Sequence, residues 1–205
     1  MLNRIDFGRL RYNREKYGLT ASTTATRVTA VSVDEVRCRA RLTEGDHDEL
    51  LRQFIEEATD QLENETSRAF VNRQYTMKLD HFPLNNEPIR LPVAPVQSVA
   101  SIVYTDDSGN DVTWSSSLYD VDTTEEPGRV RPAYDQDYPD TRSTEEMGSV
   151  TVTFTAGYGA TQSTVPPLAR KAIANAAVAE FDGCGAEKMQ AESWRNAVGL
   201  LKWSL

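Results

Sequence analysis

Two histidines, two cysteines and one acidic loop are the residues of this 205-residue chain best suited to chemistry. His47 sits in a charged turn and His81 precedes Phe82 and Pro83; neither falls at a metal-ligand spacing or beside a nucleophile. Cys38 lies between Arg37 and Arg39 with no catalytic partner near it in sequence, and is expected to be a small buried residue. Asp135, Asp137 and Asp140, with Glu145 and Glu146 nearby, have the carboxylates a calcium ion would collect, but Pro139 interrupts them and the spacing is not that of a calcium loop. A solvated acidic loop is the simpler expectation. Gly157-Tyr158-Gly159 is too sparse for a phosphate-binding loop, which also needs a lysine and a hydroxyl at fixed offsets, and reads as a turn. The residues therefore predict no catalytic site, no metal and no cofactor.

The stretch 148–181 organises the elements around these candidates. Val150, Val152, Phe154 and Ala156 alternate with Thr151, Thr153 and Thr155, the period of a half-buried strand. Gly157 and Gly159 end it, and Pro166 and Pro167 open an alanine-rich helix. Leu168, Ala172, Ala176 and Ala179 line one side of that helix, with Ile173, Ala177, Val178 and Phe181 beside them, so another helix can approach closely.

Upstream, residues 48–70 carry the strongest helical pattern. Leu51, Ile55, Ala58, Leu62 and Ala69 form one stripe, widened by Leu50, Phe54, Thr66 and Phe70. The opposite face holds Glu49, Glu56, Glu57, Asp60, Glu63 and Glu65, which reads as a solvated face or one that meets a basic partner. Leu51, Phe54, Ile55, Ala58 and Leu62 are expected to pack against Leu168, Ala172 and Ala176 within a subunit, leaving charged flanks for the next copy. Ser32 and Glu35 form a capping box before a short helix expected to reach Leu42; Gly45 would close that turn and Asp46 would cap the next helix.

Between the helical blocks the period changes to that of strands. Tyr75–Leu79, Ile89–Leu91, Val96–Tyr104, Val112–Trp114, Leu118–Val121 and Arg129–Arg131 are candidates, and the DDSGN run at 106–110 is a hairpin turn. With 150–156 these make a subdomain of about six strands. The chain is thus expected to be α+β: an antiparallel helical bundle interrupted by an inserted, mainly antiparallel β-subdomain, with extended N- and C-terminal segments. The boundaries read as an arm at 1–30, a helical part at 31–72, the β-subdomain at 73–157, a bundle helix at 158–185 and a C-terminal helix or tail at 186–205.

Charge is uneven along the chain. The formal net charge of -9 is against a protein that coats nucleic acid. Residues 1–30 nevertheless carry Arg4, Arg9, Arg11, Arg14, Lys16 and Arg27 against only Asp6 and Glu15, so a basic arm is attached to an acidic body. Cys38 and Cys184 stand far apart, which fits a reducing compartment. With no apolar run long enough for a bilayer and no signal-peptide core, the expected place of synthesis is a cytoplasm. At the far end, Trp194, Val198, Leu201 and Leu205 recur at helical spacing, with Leu200 and Trp203 beside them and Arg195 and Lys202 at the edge. Such a stripe can fold back onto the chain's own core, but two tryptophans so near a chain end read as a docking surface.

Several phrases in the same order resemble a known family. RAFVNRQYTMKLDHFP, IRLPVAPVQSVASIVYTDDSG, LYDVDTTEEPGRVRPAY, and VTVTFTAGYG followed by VPPLARKAI are similar to the head–tail connector proteins of tailed phages and prophages, also called adaptor or head-completion proteins. The resemblance is to their longer version, with an inserted β-subdomain, and covers about 31–181. Tyr138 departs from the tryptophan expected before the proline, and 182–189 lacks the family's aromatic and arginine phrase. The resemblance implies a virion protein at the head–tail interface, made in the host bacterial cytoplasm. It implies a ring, usually dodecameric, beneath the portal protein, extending the DNA channel and offering a platform to a tail-side stopper or tail-terminator protein. Packaged DNA would pass through without specific binding, past an acidic lumen that repels phosphate. No reaction is implied. Trp194, Arg195, Val198, Leu200, Leu201, Trp203 and Leu205 would then dock on the portal. A different class, a carbohydrate- or protein-binding β-module of a tail or cell-surface assembly, would need Tyr104, Trp114, Tyr119, Tyr134 and Tyr138 exposed on the sheet.

Overall fold

The computed structural model describes residues 18–21, 28–43, 45–141, 147–182 and 187–202. The fold is α+β, with antiparallel sheets, and the chain divides into two units. One comprises Arg73–Ala156 with a short N-terminal strand; the other is helical and is built from sequence on both sides of it.

In the helical unit, Ser32 caps helix α1 (Val33–Arg39), its hydroxyl accepting the Glu35 N–H at 3.1 Å. The helix stops short of Leu42, and the left-handed residue in the turn is Arg41 (φ 58°) rather than Gly45. Val36 faces the core. Cys38, two positions on, points the opposite way and is exposed, which corrects the expectation that it is buried. Its arginine neighbours are engaged with carboxylates. Arg37 bonds Asp34 at 2.8 Å and grips Asp48 with both Nε and Nη2. Arg39 and Arg170 share Glu35, at 3.1 and 2.6 Å. Burial alone would raise the Glu35 carboxyl, but the two arginines outweigh it and hold the group below its usual value.

Helix α2 (Asp48–Thr66) follows a short turn, with His47 rather than Asp46 at its N-cap. It ends four residues earlier than its apolar pattern predicts. Ser67 turns left-handed (φ 55°), and the Arg68 N–H reaches back to the Glu63 carbonyl at 3.2 Å, a closure usually given to glycine. Ala69 and Phe70 are still fully buried, but from the loop. Glu63 is buried as well, not on the solvated face: its carboxylate accepts the Phe70 N–H at 2.8 Å.

Helix α3 (Pro167–Asp182) starts on a proline, whose missing N–H costs nothing in the first turn. Residues 172–177 are buried without a break, so this middle stretch of the helix is covered on every side. Small side chains let α1, α2 and a last helix, α4 (Glu187–Leu201), all pack against it. Leu51, Ile55, Ala58, Leu62, Ala172 and Ala176 lie in this one core, with Phe54 and Leu168 packed on its margin.

The β-unit is two sheets. Strands β1 (Thr20–Ala21), β2 (Arg73–Leu79), β4 (Val96–Thr105), β5 (Asp111–Thr113) and β8 (Val150–Ala156) form the larger, in the order β1-β2-β8-β4-β5. Strands β3 (Ile89–Arg90), β6 (Tyr119–Asp122) and β7 (Arg129–Pro132) form the smaller. The central strand β8 buries Val150, Val152, Phe154 and Ala156 and leaves the threonines between them half-buried, as its alternation predicts. It pairs with β2 from Arg73↔Ala156 to Leu79↔Val150, and Tyr75 stacks on Phe154 at 5.7 Å. Thr20 and Ala21, expected to be part of an arm, instead pair with Thr76 and Tyr75 at the sheet edge.

In the DDSGN hairpin, the Asp106 carboxylate accepts the backbone N–H groups of Ser108 and Asn110, both at 2.9 Å. Residues 107–111 are exposed. Replacing 107–109 with a longer glycine-serine loop should therefore leave soluble yield and thermal midpoint nearly unchanged, because doubling a surface loop costs only about 0.6 kcal/mol. A collapse of soluble expression would show that the turn carries more than its own closure.

Candidate functional site: the face of the C-terminal helix

The side chains expected to dock divide sharply by position on α4. Ala197 is fully buried and Ser193 is 7% exposed, so this line of the helix faces the bundle. Trp194, Val198 and Leu201 flank it and pack half-buried against the core formed by α2 and α3. The burial centre lies on Ser193 and Ala197, and the larger Trp194, Val198 and Leu201 close over its edges. Arg195 and Leu200 point outward, Leu200 being 77% exposed. Trp203 and Leu205 lie outside the described residues.

Polar contacts fix the helix at its middle and at its end. Midway along it the Trp194 indole N–H donates to Glu65 at 3.0 Å, and the Asn175 amide donates to Ser193 at 3.3 Å. At its end the Arg68 guanidinium, itself 8% exposed, donates to the Leu201 carbonyl and to the Tyr158 hydroxyl, the latter at 2.9 Å. Arg68 also lies over the Tyr158 ring, 5.8 Å from its centroid. One side chain thus satisfies a helix-terminal carbonyl that would otherwise lack a partner and ties it to the loop before α3. Nothing in the sequence pattern marked Arg68; its signal was only an arginine embedded between a helix end and Ala69-Phe70.

The other candidates are also placed. His47 meets Phe181 edge-on at 5.3 Å, and His81 Nδ1 lies 2.8 Å from the Phe82 carbonyl. Asp137 accepts from Asn86 at 2.7 Å, while Glu145 and Glu146 lie outside the described residues. Among the described residues no three His, Cys, Asp or Glu side chains are grouped as a metal ion would need. In the Gly157-Tyr158-Gly159 turn the Gly159 carbonyl accepts the Asn72 N–H at 2.8 Å.

The aromatics of the β-unit are gathered into its core. Phe82 stacks on Tyr138 at 4.8 Å and meets Trp114 at 5.5 Å and Tyr104 at 5.9 Å, while Trp114 meets Tyr119 at 4.9 Å. Trp114 is only 4% exposed and Tyr119 8%. Tyr134 alone of the five expected aromatics is fully open, at 97%. Burial pushes the Tyr138 phenol up to about 12 from 10.0. Because the folded state favours the neutral phenol, its contribution is fully present below pH 10 and lost as pH rises toward 12. Alkaline titration of stability should accordingly fall less steeply over that window in Tyr138→Phe than in the parent.

The fold so defined is a helical bundle of discontinuous sequence with an antiparallel β-unit inserted between α2 and α3. No protein-family model and no curated protein matches the chain. Solved structures with this fold do. A chain in the neck of an empty gene transfer agent particle, computed with C6 symmetry, superposes with a TM-score of 0.74 at 21% identity, covering 91% of this chain and 96% of that one. A chain of the virion of the native gene transfer agent particle gives 0.70 at 21% identity over 92% and 96%. A chain in the neck of the native particle, computed with C12 symmetry, gives 0.67 at 19% identity over 91% and 96%.

Proposed function

We propose that this chain is a non-enzymatic structural protein of a phage-like virion neck, a head–tail connector of the adaptor type. The observation that carries the reading is the similarity of fold, at 91% of this chain and 96% of the other, to a chain in the neck of a gene transfer agent particle. The connector-like phrases of the sequence independently support it. As an adaptor the protein forms a closed ring by head-to-tail contacts, since only a heterologous interface generates one. The C6 and C12 symmetries with which the two neck structures were computed support a ring, and twelve copies is the number that the connector resemblance implies. The ring sits beneath the portal protein, extends the DNA channel, and receives a tail-side stopper or tail-terminator protein.

In this reading the inner face of α4 locks the helix to its own bundle, and its outer face meets the portal. Arg195 and Leu200 are the described residues available for that contact, with Trp203 and Leu205 continuing it; Trp194, Val198 and Leu201 act by holding the helix in place. Many weak tails engaged together hold a ring more tightly than any one alone. The exposed carboxylates Glu49, Glu57 and Asp60 of α2 suit a surface that packaged DNA passes without sticking. The competing β-module reading is disfavoured by the burial of Trp114 and Tyr119.

Negative-stain microscopy of the purified protein, alone and with portal-bearing particles, tests the proposal. Rings in solution, or density added beneath the portal, are the expected result. A protein that stays monomeric and leaves portal particles unchanged overturns it.

A further inference from the structure

Three large apolar side chains stand open at one end of the β-unit: Leu84 at 74%, Tyr134 at 97% and Met147 at 94% exposed. They belong to three loops that the hydrogen bonds draw together. The Asp80 carboxylate, just past the end of β2, accepts the Gly148 N–H at 2.9 Å and so places Met147 beside that strand end. Asn86 bonds Asp137 at 2.7 Å, and the Tyr138 hydroxyl donates to the Glu87 carbonyl at 2.9 Å, joining the loop of Leu84 to that of Tyr134. A cleft of about 400 Å³ lies along the same connection, lined by residues 79–81, Pro83 and residues 87–90. The loops of Leu84 and Tyr134 also carry the carboxylates Glu87, Asp135 and Asp137, all exposed.

The direction of β1 says what reaches this end. β1 runs antiparallel to β2, with Ala21 opposite Tyr75 and Thr20 opposite Thr76. Continuing toward the N-terminus, Gly18 lies beside Lys78, where a Cβ on the glycine would stand 3.6 Å from the lysine Cβ. Gly18, the first described residue, therefore stands at the Lys78 end of β2, two positions short of Asp80. The segment that precedes Gly18 has the complementary composition: Arg4, Arg9, Arg11, Arg14 and Lys16 against Asp6 and Glu15, interleaved with Ile5, Phe7, Leu10 and Tyr12. Extended, 17 residues span roughly 60 Å, ample to cross the patch.

We propose that residues 1–17 of each chain dock on this end of its own β-unit, their apolar side chains covering Leu84, Tyr134 and Met147 and their cations facing Glu87, Asp135 and Asp137. The surface is a latch for the chain's own basic segment. It concerns the β-unit alone and does not depend on a ring or a portal.

Limited trypsin digestion of the full chain tests it, since Arg9, Arg11, Arg14 and Lys16 are cleavage sites within the segment. These bonds should be cut about tenfold faster in Leu84→Ser/Tyr134→Ser/Met147→Ser than in the parent, at an unchanged thermal midpoint because all three residues are exposed. Equal cleavage rates overturn the proposal. Protection in the parent should be constant over about a hundredfold range of protein concentration; protection that appears only at high concentration assigns the patch to a second copy and also overturns it. Should the triple variant fail to fold, deletion of 1–17 decides the matter by hydrogen exchange. Faster exchange at 84–87 and 133–137 supports docking, and unchanged exchange rejects it.

Discussion

Removing 192–205 is expected to lower the thermal midpoint of the helical unit by roughly 10 °C, not to leave a stable protein that merely fails to dock. The truncation strips away the fully buried Ala197 and the half-buried Trp194, Val198 and Leu201, and it uncovers the alanine face of α3. At about 1.5–3 kcal/mol for a fully buried large side chain, and about half that for a half-buried one, the loss is on the order of 4 kcal/mol. A change of that size moves the midpoint of a chain this long by roughly 2–4 °C per kcal/mol. The informative contrast is Leu200→Ser/Trp203→Ser. Leu200 is 77% exposed, so its substitution should shift the midpoint by less than about 0.5 kcal/mol equivalent. If the double variant keeps its stability and loses association with portal particles, packing and docking are carried by different residues of the C-terminal segment. A truncated chain that melts with the parent would show that the helix is not part of the bundle core.

Gly157→Ala should cost about 3 kcal/mol or more, the largest effect expected of a single added methyl group. The residue sits at φ 145°, and a Cβ there would stand 2.5 Å from the Asn72 backbone nitrogen. Two penalties combine, each of about 1–3 kcal/mol: an unfavourable backbone conformation and an overpacked contact. The obstacle is main chain, held in place because the Asn72 N–H donates to the Gly159 carbonyl at 2.8 Å, so no side chain can swing aside. Chemical denaturation of the variant should show a lower midpoint at an unchanged slope. Retention of the parent midpoint would mean that this turn relaxes freely.

Periodicity was a good guide wherever one face of an element is dry. It located the strands β2, β4 and β8 and the apolar line of α2, because alternation and helical spacing follow directly from burial on one side. It was weaker where tertiary contacts override local pattern. Ala69 and Phe70 continue the stripe of α2 and are buried as expected, yet they lie beyond the helix, since Ser67 supplies a left-handed turn with no glycine to announce it. Glu63 shares its spacing with exposed carboxylates and is buried all the same, because a backbone N–H seven residues on needs an acceptor. On α4 the large residues form the stripe visible in the sequence, and the small ones beside it, Ser193 and Ala197, mark the buried line. Phe82 is the hub of the aromatic cluster, though its place between His81 and Pro83 gave only a strand end. The two-residue strand β1 is too short for any period to be visible.

The pairing of Arg73 with Ala156 has a consequence for the order of folding. Helices α2 and α3 are separated by about 100 residues of chain, and bringing them together from an unfolded coil means closing a loop of that length. Once β2 and β8 have zipped, the same helices are tethered by only about 20 residues of connecting chain, and the logarithmic dependence of closure entropy on length makes their encounter easier by about 1–2 kcal/mol. The inserted sheet thereby acts as a staple on the bundle's folding path, shortening a distant contact into a nearly local one. Substitutions that weaken β8 should slow the collapse of the helices even where they touch none of them.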